Sequence, residues 1–201
     1  MRVIAGSAKG FGLSAPKHLG LRPTPERVRE AIFSSLAERI PGARVLDLFA
    51  GTGAFGIEAL SRGAESAVFV EKDGRAMALV ADNLRKTHLV DRARMFRDDV
   101  RHAIEVLARE GATFDLVFAD PPYFKPNEVS RSEDGGGRRR EPFSWTRILL
   151  DSEVLPKLLA PGGLFLLEHF VKDQQIGAAF FETGKSLGFG DSRVQIYAPR
   201  V

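Results

Sequence analysis

The sequence contains no cysteine, which excludes a disulfide framework and any thiolate metal site and suits a reducing compartment. Histidine is scarce as well. His18, His88, His102 and His169 are scattered without metal-ligand spacing, so no metal centre is expected. No apolar run approaches membrane-spanning length, and the opening Met-Arg-Val-Ile-Ala-Gly has no apolar signal core. No internal repeat is visible either. A cytoplasmic protein without a membrane partner is the expectation. Its 201 residues, 44% hydrophobic and 27% charged, suffice for one sizeable core and a small appendage.

Charge is present but unevenly placed. Residues 1–40 hold seven basic side chains (Arg2, Lys9, Lys17, Arg22, Arg27, Arg29, Arg39) against three acids, a balance of +4. The whole chain carries only +3, so the remainder sums to −1. A basic segment beside a near-neutral body suits a polyanion such as nucleic acid, although a solvated basic face is an equally ordinary cause.

Residues 2–13 are glycine-rich and alternate loosely, as a short strand or hairpin does. Thr24 is expected to cap a helix with Pro25 at its first position, Val28, Ile32 and Leu36 making one buried face. From Arg44 onward strands and helices alternate. Strands are expected at 44–49, 66–71, 93–97, 114–120 and 163–168. The matching helices fall at about 54–62, 73–86, 100–110, 150–158 and 175–187, and 188–197 reads as two strands. That alternation predicts a doubly wound α/β fold, a parallel sheet covered on both faces and closed by an antiparallel pair. Residues 1–42 read as an N-terminal extension and 43–201 as the main domain. The segment 124–143 is too polar and glycine-rich to pack, and is expected as a mobile loop.

Two places carry the chemistry. The run Val45-Leu-Asp-Leu-Phe-Ala-Gly-Thr-Gly53 is a strand entering a glycine turn, where Gly51 and Gly53 permit positive φ and close ligand approach. Glu71 ends the next strand, placed to grip ribose hydroxyls. Gly51-Thr-Gly-Ala-Phe-Gly56 also satisfies the dinucleotide fingerprint, so an NAD enzyme stays open at this point. Against it, Asp47 would repel a pyrophosphate but could accept from an ammonium group. Asp98 and Asp99 close the third strand. Asp98 reads as a helix cap, and Asp99 as an acceptor for an adenine amine. Asp47, Phe49, Gly51, Gly53, Glu71, Lys72, Asp99 and Asp120 together suit an adenosine with an amino-acid tail, which is S-adenosylmethionine.

The second place is Asp120-Pro-Pro-Tyr123, at the end of an apolar strand. Two prolines force a stiff, extended exit from the sheet. They leave the Asp120 carboxylate, free carbonyls at Pro121 and Pro122, and the Tyr123 ring in one small space. Those groups suit a flat base carrying an exocyclic amine. Acceptors binding the amine hydrogens would localise its lone pair and aim it at an electrophile.

With these residues the chain resembles the RsmD family, bacterial guanine-N2 methyltransferases of small-subunit ribosomal RNA within the class I methyltransferases. The matching pieces include Arg2–Gly6, Leu21-Arg-Pro-Thr-Pro-Glu-Arg-Val-Arg-Glu30, Val45–Gly53, Glu58-Ala-Leu-Ser-Arg-Gly-Ala64, Val70-Glu-Lys-Asp73, Asn83-Leu84, Asp120–Tyr123 and Leu159-Ala-Pro-Gly-Gly163. Glu26 stands where the family usually has Asp, and the 124–143 loop is longer than is usual there. The resemblance implies methyl transfer to a guanine amine, with Asp120 and Pro121 binding its hydrogens and Tyr123 facing the ring. It implies RNA contacts from Lys9, Arg22, Thr24, Arg27 and Arg29. The partner would be ribosomal RNA or an assembling small-subunit (30S) particle, met by a monomer. An adenine or cytosine amino-methyltransferase, and a non-catalytic RNA-binding assembly factor, remain as alternatives.

Overall fold

The first four apolar runs become parallel strands in the computed structural model, which describes residues 1–15, 24–122, 144–171 and 178–200. They are β1 (Arg44–Asp47), β2 (Ser66–Val70), β3 (Ala93–Phe96) and β4 (Phe114–Ala119). A longer β5 (Leu159–Phe170) continues them, and β6 (Phe181–Phe189) and β7 (Ser192–Pro199) form a C-terminal hairpin. The sheet order is β3-β2-β1-β4-β5-β7-β6, with β1 to β5 parallel and β7 antiparallel to β5. Because β1 lies between β2 and β4, the winding reverses at the β1/β4 boundary. Open α/β sheets bind ligands beyond the strand ends at such a reversal.

Helices cover both faces. Helices α1 (Glu26–Ser35), α2 (Ala54–Ser61) and α3 (Gly74–Lys86) bury Ile32, Ile57 and Val80 against Val45, Phe69 and Phe118. On the other face α4 (Val100–Arg109) and α5 (Trp145–Leu150) bury Ile104 and Leu149 against Leu46, Val117 and Phe165. Central strands therefore read as continuous apolar runs, since both of their faces are covered. Truncating a fully buried residue such as Leu46 to alanine costs about 2–5 kcal/mol in cores of this kind. Among the described residues, no helix is long and apolar enough to cross a membrane.

The N-terminal hairpin closes through an isolated bridge between Arg2 and Gly12. Its backbone is tied down by buried polar side chains of α2. Glu58 accepts from the amides of Ile4 at 2.8 Å and Ala5 at 3.0 Å, and from Arg62 Nε at 2.7 Å. Ser61 Oγ accepts from the Ala8 amide and donates to the Ala5 carbonyl. Gly6, at φ 84°, passes so close to Ser61 that a Cβ there would lie 1.8 Å from its carbonyl oxygen.

Three local expectations are corrected. In place of the helix expected at 175–187, the residues from Phe181 onward form strand β6, the sheet's outer edge, paired with β7 through a turn at Gly190. Gly184 and Gly188 disfavour a helix there, and the hairpin gives the backbone its partners. The helix expected at 150–158 is broken. α5 ends at Leu150, Ser152 Oγ accepts from the amides of Val154 and Leu155, and a short 3-10 turn follows at Leu155–Leu158. Pro156 cannot donate to the carbonyl four residues back, so a continuous helix is blocked. Finally, Thr24 does not cap α1. Pro25 occupies the cap position with no side-chain bond, and the Thr24 hydroxyl turns elsewhere. The 124–143 loop lies outside the described residues.

Candidate active site

The glycine turn after β1 is built as a ligand cradle. Gly51 and Gly53 have φ of 54° and 77°, a region that other residues enter only with strain. A Cβ on Gly53 would also press on Ile57 and Val80, each at 3.2 Å. Gly56 serves packing, because a Cβ there would lie 2.2 Å from the Phe69 ring. This is the close helix–strand approach for which the third glycine of such a turn is needed.

Glu71 sits at the end of β2, half-buried, and its two oxygens bridge two loops. Oε2 accepts from the Gly51 amide at 3.0 Å and Oε1 from the Asp73 amide at 2.8 Å. Each oxygen keeps a second lone pair for a ligand hydroxyl. Asp47 ends β1 and is buried, with Oδ2 accepting from the Gly56 amide at 3.1 Å. Burial pushes its carboxyl up to about 7. The Gly56 bond opposes that rise, and the charge of Glu71 adds to it. A buried carboxylate in that state favours a cationic ligand group, such as the ammonium of an amino-acid tail.

Phe49 and Trp145 meet edge to face with ring centroids 5.0 Å apart, forming an apolar wall at the same strand end. The helix-cap role expected of Asp98 falls to Asp99. Asp99, not Asp98, caps α4, accepting from the Arg101 amide, and it also pairs with Lys72 at 3.2 Å. Asp98 accepts from the Asp99 amide and contacts His102 Nδ1 at 2.6 Å. Lys72 is exposed, its ammonium held over the Asp99 carboxylate.

Asp120 follows β4, across the reversal point from the glycine cradle. Thr24 Oγ1 donates to its Oδ2 at 2.7 Å. Burial, then the charge of Glu168, raises the Asp120 carboxyl to about 7, with Thr24 pulling it down and Asp47 adding a further rise. Pro121 is buried and Pro122 exposed; Tyr123 and Arg22 lie outside the described residues.

Glu168 is the site residue that the sequence reading missed. It lies near the end of β5, 6% exposed, and shares with Asp120 a narrow cleft between α1 and the sheet. The cleft floor is formed by Phe55 and Phe118, ring centroids 5.2 Å apart. A signal existed, since Leu164, Leu166 and Glu168 alternate on the face that Phe118 and Asp120 share.

The residues expected at RNA divide. Lys9 and Arg27 are exposed. Arg29 is not: it is fully buried, and Nη2 donates to the Arg2 carbonyl at 2.6 Å. It is therefore withdrawn from the RNA-facing set. On α1 it follows Val28 on the inward side, and its charge faces the buried Glu58 and half-buried Glu26. Its role is to join the hairpin to the helix.

A wound sheet ending in a reversed hairpin, a glycine cradle flanked by Asp47 and Glu71, and an Asp-Pro-Pro corner beside it belong to the class I, S-adenosylmethionine-dependent methyltransferases. The family model described as conserved hypothetical protein 95 matches residues 1–132. The ribosomal RNA small subunit methyltransferase D of Escherichia coli (strain K12) is 38% identical over 157 residues, 77% of this chain and 75% of that one. A hypothetical protein of Thermus thermophilus has a solved structure 30% identical to this chain. The match covers 98% of this chain and 99% of that one, with a TM-score of 0.74. SMU.776, solved as a complex with SAH, shares the fold at a TM-score of 0.59 and 20% identity, over 82% and 48% of the two chains. The chain belongs to the RsmD family of methyltransferases, and S-adenosylmethionine is its cofactor.

Proposed function

We propose that the protein methylates the exocyclic N2 amine of one guanine in small-subunit ribosomal RNA. The observation carrying this reading is the Asp120 corner. A carboxylate is fixed by Thr24 in an apolar cleft, across the sheet reversal from the cofactor cradle. The named small-subunit relative supports the choice of RNA.

Bound S-adenosylmethionine supplies an activated sulfonium methyl group. Glu71 would hold the ribose hydroxyls and Asp47 the ammonium, while the positive φ of Gly51 and Gly53 would let the ligand approach the backbone. Asp120 and the Pro121 carbonyl accept the hydrogens of the guanine amine, and Tyr123 stacks against the base. The amine so held would take the methyl group, the cofactor's sulfur leaving with the electrons of the bond it loses, and would afterwards release one proton to water. Alignment and exclusion of water supply the acceleration. The base must leave its stack to reach such a cleft. Lys9, Arg22 and Arg27 bind phosphates around it, the 1–42 extension serving as the RNA-binding part of a monomer.

The test uses labelled cofactor with unmodified small-subunit particles and, in parallel, naked RNA of the same sequence. The labelled nucleotide is mapped by mass spectrometry. A single N2-methylguanosine is expected. Label on adenine or cytosine would replace this reading by an amino-methyltransferase of other specificity, and no label on any nucleic acid would end it.

A further inference from the structure

Asp120 has a neighbour in the same cleft that the reaction described above does not use. β4 and β5 pair in register through Phe118↔Leu166 and Ala119↔Leu167. One step further along each strand come Asp120 and Glu168, on the face of Phe118 and Leu166. Both line the cleft with Ile32, Phe55 and Val194. Two carboxylates side by side in an apolar cleft repel each other, and the arrangement suits a ligand with two adjacent donors.

Base edges differ on this point. Guanine carries an N1–H beside its N2 amine, so it offers two neighbouring donors. Adenine and cytosine place a bare ring nitrogen, an acceptor, beside their amines. A carboxylate facing that nitrogen repels it.

We propose that Glu168 is the specificity-determining residue of the site, its carboxylate accepting the N1–H of the target guanine while Asp120 holds the N2 amine. This rests on the guanine-N2 reading of the reaction. It assigns the two carboxylates separate tasks, Asp120 for alignment of the reacting nitrogen and Glu168 for the choice of base. Adenine and cytosine are then refused at the ring nitrogen, even though their amines could reach Asp120. A residue that only supported the strand would show no such preference.

The test replaces the mapped target nucleotide by 2-aminopurine, which keeps the reacting amine but has an acceptor at N1. Single-turnover methylation by the parent enzyme is compared with that by Glu168→Gln and Glu168→Ala. The parent should prefer guanine by at least about a hundredfold, because sites built around a hydrogen bond reject analogues lacking it. In Glu168→Gln the preference should fall at least about tenfold, since the amide can donate to a bare N1. Unchanged S-adenosylhomocysteine affinity and melting temperature would confirm that the variant is folded. A parent that methylates 2-aminopurine as fast as guanine overturns the proposal without any variant. So does a Glu168→Gln enzyme that loses both activities by one common factor. Methyl transfer by the parent to adenine or cytosine would overturn the guanine reading and this inference together. N2-methylguanosine with an unaltered preference in the variant would overturn this inference alone.

Discussion

Thr24 and Asp120, ninety-six positions apart, are joined by a 2.7 Å hydrogen bond from the threonine hydroxyl to the carboxylate. The bond fastens the start of α1 to the end of β4. It also lowers the Asp120 pKa against the rise from burial. Thr24→Val should therefore shift the acid limb of the kcat/KM profile to higher pH. At pH 7 methylation should fall about two- to tenfold, since a shifted pKa lowers the ionised fraction. An unmoved limb in a pH series would mean that the bond has no part in tuning the carboxylate.

Asp120 itself should be tested by two substitutions. Asp120→Ala is expected to lower the methylation rate by roughly 10²–10³, as loss of one preorganised polar contact does elsewhere. Asp120→Asn, which keeps one acceptor oxygen, should fall between the parent and Ala; equal inactivity of Asn and Ala would indicate a general base. With its carboxyl raised to about 7, the parent's kcat/KM should climb as pH rises through that value, because only the ionised form accepts from the amine. Both roles for Asp120 predict that climb. The Asn-to-Ala comparison separates them.

Glu71→Ala should weaken S-adenosylhomocysteine binding by roughly 1.5–3 kcal/mol, the range for hydrogen bonds to a charged group. Titration calorimetry reads it directly. The same change strips the Gly51 and Asp73 amides of their acceptor, so amide exchange in both loops should quicken.

Asp47→Asn separates stability from binding. The Asp47 carboxyl rises from an ordinary value near 4 to about 7 on folding, so the native state holds an extra proton between those values. Stability of the free protein is then lost as pH rises across that window. The Asn variant, lacking the buried charge, should melt higher than the parent at pH 8 and near it at pH 4. The gain at pH 8 should be on the order of 1–3 kcal/mol, allowing for the weakened Gly56 contact. Its affinity for S-adenosylhomocysteine should nevertheless drop. A variant that melts no higher at pH 8 would remove the cost assigned to the buried carboxylate.

Arg27 and Arg29 share a helix but face opposite ways, one exposed and one buried. Arg27→Ala should flatten the salt dependence of RNA binding by about one unit of slope. Arg29→Ala should instead lower the melting temperature and leave that slope unchanged. Filter binding over a range of salt, with calorimetric melting of both variants, would check the pair.

Much of this site can be read from sequence because its parts are local. The glycine turn, the acidic end of β2 and the double proline each carry their geometry within a few residues. What escapes such a reading depends on partners far along the chain. Thr24 before Pro25 looks like a helix cap, and only the arrival of Asp120 shows where its hydroxyl goes. Arg29 looks like one more surface cation, because its neighbour Glu58 comes from another helix. Glu168 ends an apolar run, and its place beside Asp120 depends on the register between β4 and β5. The strand at Phe181–Phe189 escapes for another reason, since edge strands are specified largely by the neighbour that they join.

The anchoring of the hairpin by Glu58 and Ser61 bears on how such a protein can be re-engineered. Asn83 extends that anchoring, bonding both to Ser14 and to the Thr52 carbonyl inside the glycine turn. A chimera that moved only residues 1–15 onto another methyltransferase sheet would strand the amides of Ile4, Ala5, Ala8 and Ser14 without acceptors. The transplantable unit is the hairpin together with α2 and the middle of α3, which are the same elements that shape the cofactor cradle. Exchanging the hairpin therefore means exchanging half of the glycine cradle along with it.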